Sequence, residues 1–153
     1  MMTTASEVIA KLSGKTLVTA ESLTGGGIGA ALTAVPGASR VIKGGIISYT
    51  NAVKQEILGV SAEDLQRYGA VSAPVAIAMA QGARKALGAD IAVSATGLAG
   101  PDGDEFGHPV GTVFLGYADA EKSLVWECHF SGDREMVRNQ TIKAALSFIL
   151  TNL

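Results

Sequence analysis

The chain has 153 residues, with 12 Lys and Arg against 14 Asp and Glu, 48% hydrophobic residues, 17% charged residues, 19 Gly and one Cys. At about 150 residues per domain this predicts a single domain over 1–153, and the high hydrophobic content with a net charge of −2 excludes a disordered chain. Balanced charge without a long run of one sign excludes a polybasic nucleic-acid surface, and no continuous apolar run reaches the about 18 residues of a membrane span. Met1 to Lys11 contains Glu7 and no basic leader followed by an apolar core, so a cytoplasmic protein is expected. A lone Cys128 forms no intrachain disulfide and no Cys-rich zinc site.

Helix and strand signals alternate along the chain. Thr4-Ala5-Ser6-Glu7 has capping-box spacing, and Val8, Ile9 and Leu12 follow at helical intervals up to Gly14. Thr16 to Thr19 is β-prone and runs into Thr24-Gly25-Gly26-Gly27 before Ile28 to Thr33, which reads as strand, tight loop and helix. A second strand includes Ile46 to Tyr49, and Asn51 caps a helix with Lys54 in its first turn. Ser61 opens a short helix ending near Gly69, and Pro74 starts a longer one up to Leu87. Ile91 to Ala95 is a buried strand, followed by a Gly- and Pro-rich loop from Thr96 to Pro109. Loops longer than about 12 residues are usually functional when ordered, which makes this one a candidate site. Val110 to Ala118 and Leu124 to Phe130 form a hairpin through Asp119 to Lys122, and Asp133 caps a last helix. The expected fold is α/β, a three-layer α/β/α sandwich around a mixed, mostly parallel sheet.

Chemistry has three candidate places. The turn Thr19 to Gly27 joins a strand to a helix, where free N–H groups and the helix dipole hold a phosphate or an oxyanion; alternatively Ser22 or Thr24 is an ordinary N-cap. Gly25-x-Gly27-x-x-Ala30 fits a dinucleotide fingerprint, but no acid for a ribose occurs between Glu21 and Glu56. Gly14-Lys15-Thr16 lacks the earlier glycine of a P-loop, since Ile9 stands there. Cys128 and His129 point to opposite faces of a strand and cannot chelate one metal, so neither a metal nor a cofactor is expected. The second place is Lys54, either a solvated first-turn lysine or a base whose amine loses its proton through burial. The third is Arg134 with Arg138 one turn on, a pair able to grip a phosphate or to form surface ion pairs with Asp133 and Glu135.

Seven motifs stand in one order. They are Ala20-Glu21-Ser22-x-Thr24-Gly25-Gly26, Tyr49-x-Asn51-x-x-Lys54, Leu58-Gly59-Val60, Gly69-Ala70-Val71-Ser72, Thr96-Gly97-x-Ala99-Gly100-Pro101-Asp102-Gly103, Pro109 to Val113, and Phe130-x-Gly132-Asp133-Arg134. Together they resemble the C-terminal domain family of the competence/damage-inducible protein CinA, whose stand-alone members are nicotinamide-mononucleotide amidohydrolases. The resemblance implies hydrolysis of the carboxamide of nicotinamide mononucleotide to nicotinate mononucleotide and ammonia. It implies a catalytic dyad of Ser22 as nucleophile and Lys54 as base, with Tyr49 beside it, and an oxyanion held by N–H groups around Thr24, Gly25 and Gly26. Thr96, Gly97, Ala99 and Gly100 are similar to the family's substrate loop, while Arg134 and Arg138 are the expected phosphate ligands. The implied partner is a small-molecule nucleotide, with no nucleic acid and no membrane, and a homodimer is the expected assembly. The alternative is a nucleotide-binding module of the same fold without turnover.

Two positions depart from the family pattern: Leu23 replaces a common Cys, and His108 replaces a common Lys before Pro109. Full-length CinA-type proteins carry a metal-dependent pyrophosphatase domain that these residues do not supply, so that activity is expected to be absent.

Overall fold

The computed structural model describes residues 2–153. In chain order the elements are α1 (Thr4–Lys11), β1 (Leu17–Glu21), α2 (Gly27–Thr33), a 3-10 turn (Ala38–Arg40), β2 (Ile42–Ile47), α3 (Asn51–Glu56), α4 (Ala62–Tyr68), α5 (Ala73–Leu87), β3 (Ile91–Gly97), β4 (Thr112–Ala118), β5 (Ser123–His129) and α6 (Arg134–Thr151).

Short polar side chains start four of these helices by accepting an otherwise orphaned N–H. Thr3 accepts from Ser6 N, Thr50 from Val53 N, Ser61 from Asp64 N and Asp133 from Met136 N. Two caps therefore lie one residue earlier than the sequence suggests, on Thr3 rather than Thr4 and on Thr50 rather than Asn51. Ser72 turns its hydroxyl back to Gly69 O, and Pro74 occupies the first turn of α5 instead. α2 begins from Gly26, at φ 99, with no cap from that residue.

The strands form one sheet in the order β2-β1-β3-β4-β5. β1 is parallel to both neighbours, whereas β3–β4 and β4–β5 are antiparallel. Only β4 therefore runs against the others, so the sheet is mixed and mostly of one direction, although parallel and antiparallel pairings are equal in number.

Alternation along the strands divides the core between two faces. Leu17, Ile91, Val93, Leu115 and Tyr117 pack with α1, α2 and α6. Val18, Ala20, Ala92 and Ala118 pack on the other side with α4 and α5. The three layers follow from chain direction. From β1 the chain moves to one neighbour through α2, then back across β1 to β3 through α5, and crossovers of one hand place these helices on opposite faces. The reversal opens a crevice at the carboxyl ends of β1 and β3, the usual ligand position in such sheets.

Candidate active site

All three parallel strands end at that crevice. Ser22 follows β1 directly, its N–H held by Ala95 O of β3 at 2.9 Å. On the other side, Ser48 N donates to Glu21 O at 2.7 Å, which fixes the exit of β2 beside the same turn. The following helix α3 brings Lys54 inward, and its Nζ lies 3.1 Å from Ser22 Oγ, 2.7 Å from Ser48 O and 3.3 Å from Tyr49 O.

Lys54 is only 1% exposed and Ser22 8%. The solvated-lysine alternative thus does not hold. Burial disfavours the charged amine and pushes its pKa down to about 8. An ammonium group uses three donors on these three acceptors. After deprotonation, the two remaining N–H bonds can stay on the carbonyls while the lone pair faces the Ser22 hydroxyl. A hydroxyl and an amine so placed can act as a nucleophile with its base.

A cavity of about 460 Å³ opens over the pair, lined by Ser22, Tyr49, Asn51, Lys54, Thr96 to Asp102 and Arg134, among others. Its size falls within the range of small-ligand sites, about 300–1,000 Å³. Thr96, Gly97, Ala99 and Gly100 thus share one wall with the Ser22 turn opposite. Thr96 is anchored through its hydroxyl to Ala70 O at 2.8 Å. Gly97 has no room for a side chain, since a Cβ would stand 2.6 Å from Val113 Cγ2. Tyr49 is 59% exposed at the rim. Its phenol oxygen accepts from Arg134 Nη2 at 3.1 Å while Arg134 Nη1 donates to Gly100 O at 2.7 Å, a bridge between the two walls.

Several expected site residues lie elsewhere. Arg138 neither lines the cavity nor pairs with Asp133 or Glu135. Its Nε donates to Leu23 O at 2.9 Å and its Nη2 to Thr24 O at 3.4 Å, so its donors hold the turn from outside. Gly25 N donates to Ser22 O at 3.1 Å and is already committed. Thr24 and Gly26 lie behind the cavity wall, and the Thr24 hydroxyl points to Glu21. Neither Ser22 nor Thr24 is the N-cap of α2.

The acceptor that α2 needs comes from Glu21, which takes the N–H groups of Ile28 and Gly29 at 2.8 and 3.0 Å. Sequence reasoning missed this role. Glu21 closes a β-prone run, and strand alternation with Thr19 was the available signal that it faces α2. Asn51 and Asp102 also line the cavity and were not singled out as site residues. No cluster of three or more His, Cys, Asp or Glu able to hold a metal occurs among the described residues.

Residues 2–153 match the CinA C-terminal domain family. The chain belongs to this family. A CinA-like protein of Parasynechococcus marenigrum is 59% identical over 113 residues, covering 72% of this chain and 27% of the relative. A putative competence-damage inducible protein of Bacillus pumilus is 46% identical over 140 residues, 92% of this chain and 33% of that protein. The chain thus spans about a third or less of the length of these curated relatives. Among solved structures, the competence/damage inducible protein CihA of Agrobacterium tumefaciens superposes with a TM-score of 0.93 at 38% identity, over 97% of this chain and 92% of that one. A competence-damaged protein (CinA) superfamily protein of Escherichia coli gives 0.92 at 35% identity, over 99% and 91%.

The two departures from the CinA pattern have separate surroundings. Leu23 is buried in the core between the sheet and α6 and also reaches the cavity wall. His108 bonds Asp104 through Nδ1 at 2.8 Å and meets the Phe114 ring edge-on at 6.2 Å, outside the cavity lining. No helix among the described residues is long and apolar enough to cross a membrane.

Proposed function

We propose that this CinA-family chain is a nicotinamide-nucleotide amidase, hydrolysing nicotinamide mononucleotide to nicotinate mononucleotide and ammonia in pyridine-nucleotide recycling. The observation that carries the reading is the buried Lys54 amine, with its lowered pKa, 3.1 Å from the Ser22 hydroxyl on the floor of a nucleotide-sized cavity. A stable carboxamide needs an activated nucleophile, and a lysine that is neutral near pH 8 supplies the base without a histidine.

Ser22 Oγ attacks the carboxamide carbon as its proton passes to Lys54 Nζ. The carbonyl oxygen becomes an oxyanion. The N–H group of Leu23, a residue of the cavity lining, has no acceptor among the described residues and is the available donor, one oxyanion contact being worth about 3 to 4 kcal/mol. Lys54 then returns the proton to the leaving nitrogen, the C–N bond breaks, and ammonia departs from a Ser22 ester. Water, giving its proton to Lys54, attacks that ester. The carboxylate is released and Ser22 recovers its proton. Arg134 has N–H groups beyond its bonds to Gly100 and Tyr49 for the substrate phosphate, whereas Arg138 serves the turn. The chain acts as a single cytoplasmic domain, with a homodimer as the proposed assembly.

Ammonia release from nicotinamide mononucleotide, measured for wild type and Ser22→Ala with substrate binding checked in both, tests the reading. Release by wild type alone, with binding retained in the variant, is expected. Tight binding without release from wild type would make the chain a nucleotide-binding module, and loss of both would remove the substrate.

A further inference from the structure

We infer that Glu21 is the positioning residue of this site: its buried carboxylate gathers the donors that fix where Ser22 stands against Lys54. The inference deepens the Ser22–Lys54 reading and rests on it. Glu21 is 2% exposed, and a carboxylate so buried needs hydrogen-bond donors to remain in place. It has four. Oε1 accepts from Thr24 Oγ1 at 2.7 Å and Ile28 N at 2.8 Å; Oε2 accepts from Thr19 Oγ1 at 3.0 Å and Gly29 N at 3.0 Å.

The donors come from three separate parts of the chain. Thr19 lies in β1 before the nucleophile, Thr24 lies in the turn after it, and Ile28 and Gly29 open α2. One side chain therefore ties strand, turn and helix into a single body with Ser22 in its middle. The main chain of Glu21 fixes the base side as well. Its carbonyl accepts from Ser48 N at 2.7 Å, and the Ser48 carbonyl in turn holds Lys54 Nζ at 2.7 Å.

Glu21 does not line the catalytic cavity, so it acts through Ser22 rather than on substrate. Glutamine keeps the shape but replaces one acceptor oxygen by an NH₂ group, which then meets donors on its own side. The desolvation that lowers the Lys54 pKa does not involve the Glu21 charge. Glu21→Gln should thus reduce turnover without moving the pH midpoint.

The test compares wild type, Glu21→Gln and Thr24→Val, with Ser22→Ala as the blank, in two assays scaled to folded protein. One is ammonia release from nicotinamide mononucleotide. The other is labelling by an alkyl fluorophosphonate, in which Ser22 Oγ bonds to phosphorus, fluoride leaves and the hydroxyl proton passes to Lys54. Misplacement of a reacting group by about 1 Å costs about 100-fold, so Glu21→Gln is expected to lower kcat and the labelling rate by about 30-fold or more. KM and the pH midpoint should stay at their wild-type values, and Thr24→Val should show a smaller loss in the same direction.

A folded Glu21→Gln protein that labels and turns over at the wild-type rate would overturn the inference, as would a change in KM alone. If Glu21→Gln does not fold, Thr24→Val decides, and wild-type rates in that variant overturn it. Labelling of wild type without ammonia release would remove only the substrate assignment and leave the labelling comparison decisive. Absence of both in wild type would overturn the Ser22–Lys54 reading and this inference together.

Discussion

At the residue scale, the burial of Lys54 ties both the proposed reaction and the stability of the fold to pH in ways that can be measured separately. In the proposed reaction only the neutral amine can accept the Ser22 proton, so kcat/KM should rise about tenfold per pH unit towards pH 8 and level off above it. Lys54→Met should lose at least about 100-fold in kcat and lose this profile. For stability, the folded-state pKa lies near 8, below the ordinary value of 10.5 for the unfolded chain. Between those two values the unfolded state binds more protons, so Lys54 makes stability rise as pH increases through that window. Cys128, raised to about 11 by burial and the Glu127 charge, and Tyr117, raised to about 12 chiefly by burial, act oppositely at alkaline pH. The difference in urea unfolding between wild type and Lys54→Met isolates the lysine contribution. It should grow between pH 8 and 10.5 in favour of wild type and stay flat below pH 8.

At the scale of elements, the site depends on how closely α5 approaches the segment after α3. Gly82 of α5 lies against the Leu58 carbonyl, and a Cβ at that position would overlap it. That segment is tied to the base, because Val60 N donates to Lys54 O at 3.0 Å. Gly82→Ala should therefore cost about 1 to 3 kcal/mol, read from urea unfolding, despite the better helix propensity of alanine. It should also lower kcat by shifting Lys54, whereas a purely local helix effect would stabilise the protein and leave kcat unchanged. Element starts were largely legible in the sequence: Ser61, Pro74 and Asp133 lie where capping and first-turn rules place them. Thr4 and Asn51 miss by one residue because Thr3 and Thr50, equally able to accept, take the extended conformation and the bond. α2 misled more deeply, since its acceptor comes from the end of the preceding strand.

At the scale of the molecule, the sheet separates two cores and presents the site at the carboxyl ends of its parallel strands. Leu115 is fully buried on the face shared with α1, α2 and α6, away from the catalytic cavity. Leu115→Ala should lower stability by about 2 to 5 kcal/mol in urea unfolding and leave KM and kcat unchanged at temperatures where the protein stays folded. A loss of kcat in folded protein would mean that this core is coupled to the crevice. The groups that line the crevice come from segments far apart in the chain, and the crevice exists because the connections around β1 reverse direction.

The sequence by itself determined the alternation of helices and strands, the Gly- and Pro-rich loop after the third strand, and the CinA family through motifs in one order. Those features depend on local residue type and spacing. Only the tertiary structure decided that Lys54 is buried rather than solvated, because its partners are the Ser22 side chain after β1 and the Ser48 and Tyr49 carbonyls, which the pairing of β2 with β1 sets beside it. Tertiary packing also directs Arg138 to the Leu23 and Thr24 carbonyls and Arg134 to Gly100 and Tyr49, although both arginines lie on the same helix one turn apart. Spacing sets the face on which a side chain emerges, whereas the acceptors packed against that face set what it binds.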